Sequence, residues 1–115
     1  MNDLKNQTFL LQSIVNDLTS LFELARSRGA SRILSVGVPT SAFLEHSTEA
    51  MTRRNDVNES LKKLAARSGG YIRYVDCPVE YGVDPYETDG LHFAPKAYEK
   101  LALKLYEVVR KMMDQ

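Results

Sequence analysis

The chain has 115 residues, of which 43% are hydrophobic and 26% charged. That composition excludes a disordered segment and leaves room for one domain and no more. Fifteen basic and fifteen acidic residues cancel, so no global field favours nucleic acid or an anionic membrane, and no apolar run is long enough to span a bilayer.

Met1 to Gln7 are polar and lack the pattern of a secretory signal. Cys77 is the one cysteine, so an internal disulfide is excluded and a reducing, cytoplasmic setting is expected. From about Asn6 to Arg28 the sequence predicts a helix. Leu10, Leu11, Ile14, Val15, Leu18, Leu21, Phe22 and Ala25 recur at three- and four-residue spacing, which reads as a core-facing stripe. Gly29, after Arg26 and Arg28, is a C-terminal stop. Ser31 to Pro39 reads as a short strand whose apolar character suits burial on both faces, and Pro39 ends it. Thr40 to Glu49 is polar and mixed and is expected to be a loop at the carboxyl end of that strand, the edge at which open α/β sheets bind ligands.

A second helix is expected from about Thr52 to Arg67, with Val57, Leu61, Leu64 and Ala65 as its stripe and Ser68-Gly69-Gly70 as its stop. Tyr71 to Asp76, aromatic and β-branched, is the next strand. Cys77 to Thr88 is a long loop broken by Pro78, Gly82 and Pro85. A last helix spans about Ala94 to Met113. Pro95 sits in its first turn, and Tyr98, Leu101, Ala102, Leu105, Val108, Val109 and Met112 make a wide apolar face. Helix, strand, helix, strand, helix is an α/β order, and a parallel pair joined by a helix is a βαβ unit. Two strands alone leave both edges open and give three helices little sheet to cover. The sheet therefore reads as incomplete, to be finished by earlier strands or by another subunit, whether a partner chain or a second copy.

Between the last strand and the last helix lies Asp89-Gly90-Leu91-His92. An Asp and a His separated by two residues, one of them Gly, can fold back in a single turn. The carboxylate then holds one imidazole nitrogen and leaves the other free as a general base. Those are the base and orienter of a Ser-His-Asp triad, which is recognised by role and not by chain order.

Asp89-Gly90-Leu91-His92, followed by Pro95, the aromatic Tyr98 and an amphipathic helix, resembles the last conserved block of the SGNH (GDSL) hydrolases. Weaker matches precede it in the family's order: a helix ending in a basic, Gly-containing turn, a strand closing on Pro39, the Asn-containing stretch Arg54 to Asn58, and a strand ending in Val75-Asp76. The similarity covers roughly Leu18 to Arg110. It implies a partial three-layer α/β/α sandwich of flavodoxin-like kind, in which this chain supplies the last two strands of a five-stranded parallel sheet. It further implies ester hydrolysis through a serine acyl-enzyme, with a small ester as substrate and without cofactor or metal. His92 is then base and later acid, and Asp89 its orienter. The family's Gly-Asp-Ser nucleophile block, and the blocks giving a Gly and an Asn to the oxyanion hole, have no counterpart here. The nucleophile is expected from outside this chain, and the chain alone is expected to be inactive. The alternative is a non-catalytic module in which the same turn survives as a packed loop.

Other residues read more plainly. Ser35 and Ser41, on or just after the penultimate strand, are the serines placed to reach His92, but neither stands in the sharp turn with oxyanion donors that a nucleophile needs. Asn55 and Asn58 are expected to cap the second helix. His46, Cys77 and His92 match no zinc spacing, and the acidic loop bearing Glu80, Asp84, Glu87 and Asp89 lacks EF-hand spacing, so solvated charge is the expectation there. Arg53-Arg54 with Lys62-Lys63 reads as a wet helix face. Tyr81 and Tyr86 flank the loop, either lining an acyl or sugar pocket or packing together.

Overall fold

Alternation of short apolar runs with helical stripes produces an α/β chain. The computed structural model describes residues 4–114, with side chains from residue 11 onward; Met1 to Asp3, and the side chain of Leu10 in the first stripe, lie outside the described residues. In order the elements are α1 (Leu4–Ser27), β1 (Ile33–Val36), α2 (Ala42–Glu45), α3 (Thr48–Ala66), β2 (Ile72–Val75) and α4 (Pro95–Met113). Among the described residues β1 and β2 form one two-stranded parallel sheet, and no helix is long and apolar enough to cross a membrane. Two compact units divide the chain: Met1–Ser35 with Arg53–Val75, and Val36–Thr52 with Asp76–Gln115.

The first unit joins a small apolar core to a few directed contacts. Among the described side chains, Leu61 of α3 and Ile72 of β2 are its buried apolar residues, and Ser35 and Asn58 are its buried polar ones. The Ile33 N–H donates to the Tyr71 carbonyl at 2.9 Å where the strands begin to pair. Between α3 and β2 the chain turns through Gly69 and Gly70, whose φ values of +66° and +91° lie in the region that only glycine enters cheaply. Ser68 fastens that turn: its hydroxyl donates to the Ala65 carbonyl at 2.7 Å and accepts from the Ile72 N–H at 2.8 Å. Tyr71 donates through its hydroxyl to the Ala30 carbonyl at 2.9 Å, and the Arg26 guanidinium lies 4.6 Å over its ring. That places a cation on the negative face of an aromatic.

Three expectations are revised here. The stripe of α1 is only half covered. Leu11, Val15, Leu18, Phe22 and Ala25 are partly buried, whereas Ile14 and Leu21 on its flank are exposed. The strands are not covered on both faces; Ser35 and Ile72 are their buried positions, as expected of a sheet with two open edges. Asn55 and Asn58 do not cap α3, because that helix starts at Thr48. Ser47 is the cap: its carbonyl accepts the first helical bond from the Met51 N–H at 2.9 Å and its hydroxyl accepts from the Ala50 N–H at 3.2 Å. Asn58 instead sits buried in the helix interior, and Asn55 accepts from Arg54 at 2.9 Å.

The second unit contains α2, the long loop after β2 and α4. Its buried apolar side chains are Val79, Ala97, Val108 and Met112. The segment expected as one loop from Thr40 to Glu49 contains α2, a single turn capped by Ser41, whose hydroxyl accepts from the Leu44 N–H at 3.3 Å. α4 opens on Pro95 after an extended Ala94 with no side-chain cap, and proline at that position loses no helical hydrogen bond.

Candidate functional site: the Asp89–His92 turn

A tight reversal builds the site. The Gly90 N–H donates to the Glu87 carbonyl at 2.9 Å, and the Glu87 N–H donates to the His92 carbonyl at 2.8 Å. The chain thereby folds back on itself over the six residues from Glu87 to His92. Gly90 takes φ +69°, a left-handed conformation costly to any residue with a Cβ. A second reason demands glycine: a Cβ there would collide with that of Ala42. The Ala42 N–H donates to the Gly90 carbonyl at 3.0 Å, so the start of α2 is seated on the turn.

Within the turn Asp89 uses both carboxylate oxygens. Oδ1 accepts from the backbone N–H groups of Leu91 at 2.8 Å and His92 at 3.0 Å. Oδ2 lies 2.5 Å from His92 Nδ1. With a carboxylate at that nitrogen Nδ1 carries the proton, and Nε2 is left as the basic nitrogen of the neutral ring. Among the described residues Nε2 has no hydrogen-bond partner, and the imidazole is 72% exposed. The backbone N–H of His92, its ring and the N–H of Leu91 all favour the charged carboxylate, lowering the Asp89 pKa from 3.8 to about 2. Reciprocally, the hydrogen bond to Asp89 and its negative charge raise the His92 pKa above 6.5, with a smaller push from Glu87.

The surrounding loop is braced by contacts that sequence spacing does not reveal. Asp84, expected as a solvated charge, is instead a tie. Its Oδ2 accepts from the Glu80 N–H at 2.9 Å, and both its oxygens accept from the Lys100 ammonium at 3.0 Å. The backbone hydrogen bond and the lysine together lower its pKa. Tyr81 and Tyr86 pack edge to face with ring centroids 5.3 Å apart, and the stack continues through Phe93 and Tyr98 at 5.2 Å steps. The same tyrosines line an open concavity with Val83, Pro85, Glu87 and Gly90, so packing and lining are both true of them. Thr40 joins this cluster from the other side: its hydroxyl accepts from the Tyr81 N–H at 2.8 Å, and its carbonyl accepts from the Tyr86 hydroxyl at 2.6 Å.

Sequence spacing anticipated the contact between Asp89 and His92 and missed Thr40, Ala42 and Lys100, whose partners lie far away along the chain. Ser41 precedes Ala42, the residue bonded to Gly90, but its own hydroxyl is engaged in capping α2. Ser35 is buried in β1. His46 is the C-terminal cap of α2, and among the described residues no group of three His, Cys, Asp or Glu is gathered to hold a metal ion. The arrangement can orient an imidazole and keep its outer nitrogen available to take a proton. Comparison of the chain with protein-family models, with curated proteins and with solved structures returns no match.

Proposed function

We propose that this chain is the C-terminal part of an SGNH-type serine esterase domain, supplying the base and the orienter of a catalytic triad. The observation that carries the reading is the 2.5 Å contact between Asp89 Oδ2 and His92 Nδ1, with Oδ1 held by two backbone N–H groups and Nε2 unengaged. In this reading His92 takes the proton of a serine hydroxyl as that oxygen attacks the ester carbonyl, then returns it to the departing alkoxide. Asp89 fixes the tautomer and stabilises the imidazolium, which its carboxylate already favours. The serine and the oxyanion donors belong to a Gly-Asp-Ser-bearing segment outside these residues. The parent fold is a three-layer α/β/α sandwich in which β1 and β2 are the last strands; their open edges are consistent with further strands.

The test is an ester-hydrolysis assay. The 115-residue chain is expected to hydrolyse p-nitrophenyl acetate no faster than free imidazole at equal concentration. The same chain joined to its serine-bearing segment is expected to turn over, and His92→Ala to abolish that turnover. Fast turnover by the 115-residue chain alone, lost in His92→Ala, would place the nucleophile within it and overturn the division of roles. One observation favours a second reading, a non-catalytic module: the two N–H bonds to Asp89 Oδ1 stabilise the turn whether or not His92 ever moves a proton. In that case the joined protein carries the turn and shows no His92-dependent turnover.

A further inference from the structure

α4 is apolar on more of its circumference than the chain itself covers. Ala97, Val108 and Met112 occupy its buried arc. On the far side Leu103 is 70% and Tyr106 67% exposed, and Met113 is exposed beyond them. These residues are not scattered. Glu99, Leu103, Tyr106, Arg110 and Met113 recur at alternating steps of four and three, the spacing of a coiled-coil seam. The seam carries an acid toward its N-terminal end, two large apolar residues at its centre and a base toward its C-terminal end. Among the described residues neither Glu99 nor Arg110 forms an ion pair.

That order of charges reads the same when the helix is reversed. Laid antiparallel on its own copy about a two-fold axis, Leu103 meets Tyr106 of the second copy and Glu99 meets Arg110 of the second copy. The symmetry then repeats both pairs. A parallel arrangement would instead set Glu99 against Glu99 and Arg110 against Arg110. From this self-complementarity we infer that α4 is a homodimerisation helix, pairing antiparallel with a second copy of this chain through the Glu99–Leu103–Tyr106–Arg110 seam. A two-fold contact of this kind is isologous and closes at two subunits. It uses the helix face of α4 and none of the strand edges, so it is independent of the catalytic reading and of how the sheet is finished. One helix against its copy is a small interface, and dissociation on the order of 10 µM is expected.

Sedimentation equilibrium of the 115-residue chain from about 1 to 500 µM reads the mass directly. The expected result is a monomer–dimer equilibrium across that range. Leu103→Lys with Tyr106→Lys is expected to give a monomer throughout with an unchanged circular dichroism spectrum, since both side chains are exposed in the single chain. Glu99→Arg and Arg110→Glu are each expected to weaken self-association about tenfold by setting like charges opposite one another. An equimolar mixture of those two variants restores pairing, because every Arg then faces a Glu, and the double variant restores it within one chain. A monomer at all concentrations overturns the proposal. So does a dimer that survives the Leu103 and Tyr106 replacements, which would put the contact elsewhere, or a mixture that pairs no better than its components.

Discussion

The two compact units of this chain are held in different ways. In the first, buried Leu61 and Ile72 sit in a helix and a strand whose apolar pattern alone predicts them, and most neighbouring positions are only partly covered. In the second, the loop from Cys77 to Ala94 has almost no regular structure. It keeps its shape through particular pairs: Asp84 with Lys100, Tyr81 and Tyr86 with Thr40, Gly90 with Ala42, Asp89 with His92. Burial is non-directional and tolerates substitution of like volume. Paired polar atoms and a positive φ tolerate very little. The candidate site lies wholly in the second kind of region, so its geometry is set by contacts rather than by packing volume.

Gly90→Ala tests that difference most severely. The new Cβ must enter a left-handed backbone conformation and the space held by the Ala42 Cβ. A left-handed residue costs about 1–2 kcal/mol and overpacking about 1–3 kcal/mol, so a loss of about 3–4 kcal/mol is expected in urea denaturation. A loss under about 1 kcal/mol would show that the turn can open away from α2 and would break the comparison. In the first unit Leu61→Ala, at a side chain 4% exposed, is expected to cost about 3 kcal/mol. Leu61→Met is expected to cost under about 1.5 kcal/mol, because volume is kept. Equal losses for both Leu61 replacements would mean that this core, too, depends on fine fit.

Those contrasts explain how much of the molecule is legible in its sequence. α1, α3 and α4 announce themselves through period, because a helix repeats its relation to the core every few residues, and both strands through their apolar and β-branched composition. α2 does not: four residues, Ala42–Glu45, are too few to show a period, and its cap Ser41 looks like any loop serine. α3 starts after Ser47, but Thr52 to Asp56 are all polar, so its apolar stripe becomes legible only from Val57. In the site, Asp89 and His92 are legible because the contact spans three residues. Thr40 with Tyr86 spans 46, and no local spacing encodes a meeting that the whole path of the chain brings about.

A smaller effect is expected from Tyr86→Phe, which deletes only the hydroxyl donated to the Thr40 carbonyl at 2.6 Å. One neutral hydrogen bond contributes about 1 kcal/mol. The ring contacts with Tyr81 and Phe93 remain, so a loss near that value, with the aromatic near-ultraviolet signal kept, separates the bond from the packing. A loss of about 3 kcal/mol would mean that the hydroxyl holds the aromatic stack in place as well as making its own bond.

The finest test changes charge while leaving the turn standing. Asp89→Asn keeps an oxygen able to accept from the N–H groups of Leu91 and His92 but removes the negative charge beside Nδ1. Followed by NMR of the ring proton between its nitrogens, His92 is expected to titrate above 6.5 in the parent chain and to fall back toward 6.5 in the variant. The consequence for stability has a definite sign on each side. A histidine whose folded pKa is raised contributes fully below 6.5 and loses that contribution as pH rises through its raised value. A carboxyl lowered from 3.8 to about 2 contributes above 3.8 and loses its contribution as pH falls through about 2. Both are complete only between 3.8 and 6.5, so the parent's margin over Asp89→Asn is expected to peak in that window and shrink toward neutral and strongly acid pH. The margin is small because both side chains face solvent. A margin that does not shrink on either side of that window, or a His92 midpoint unchanged by Asp89→Asn, would mean that the carboxylate shapes the turn without orienting the imidazole. The loop would then owe its form to backbone capping alone, and the base would lack its orienter.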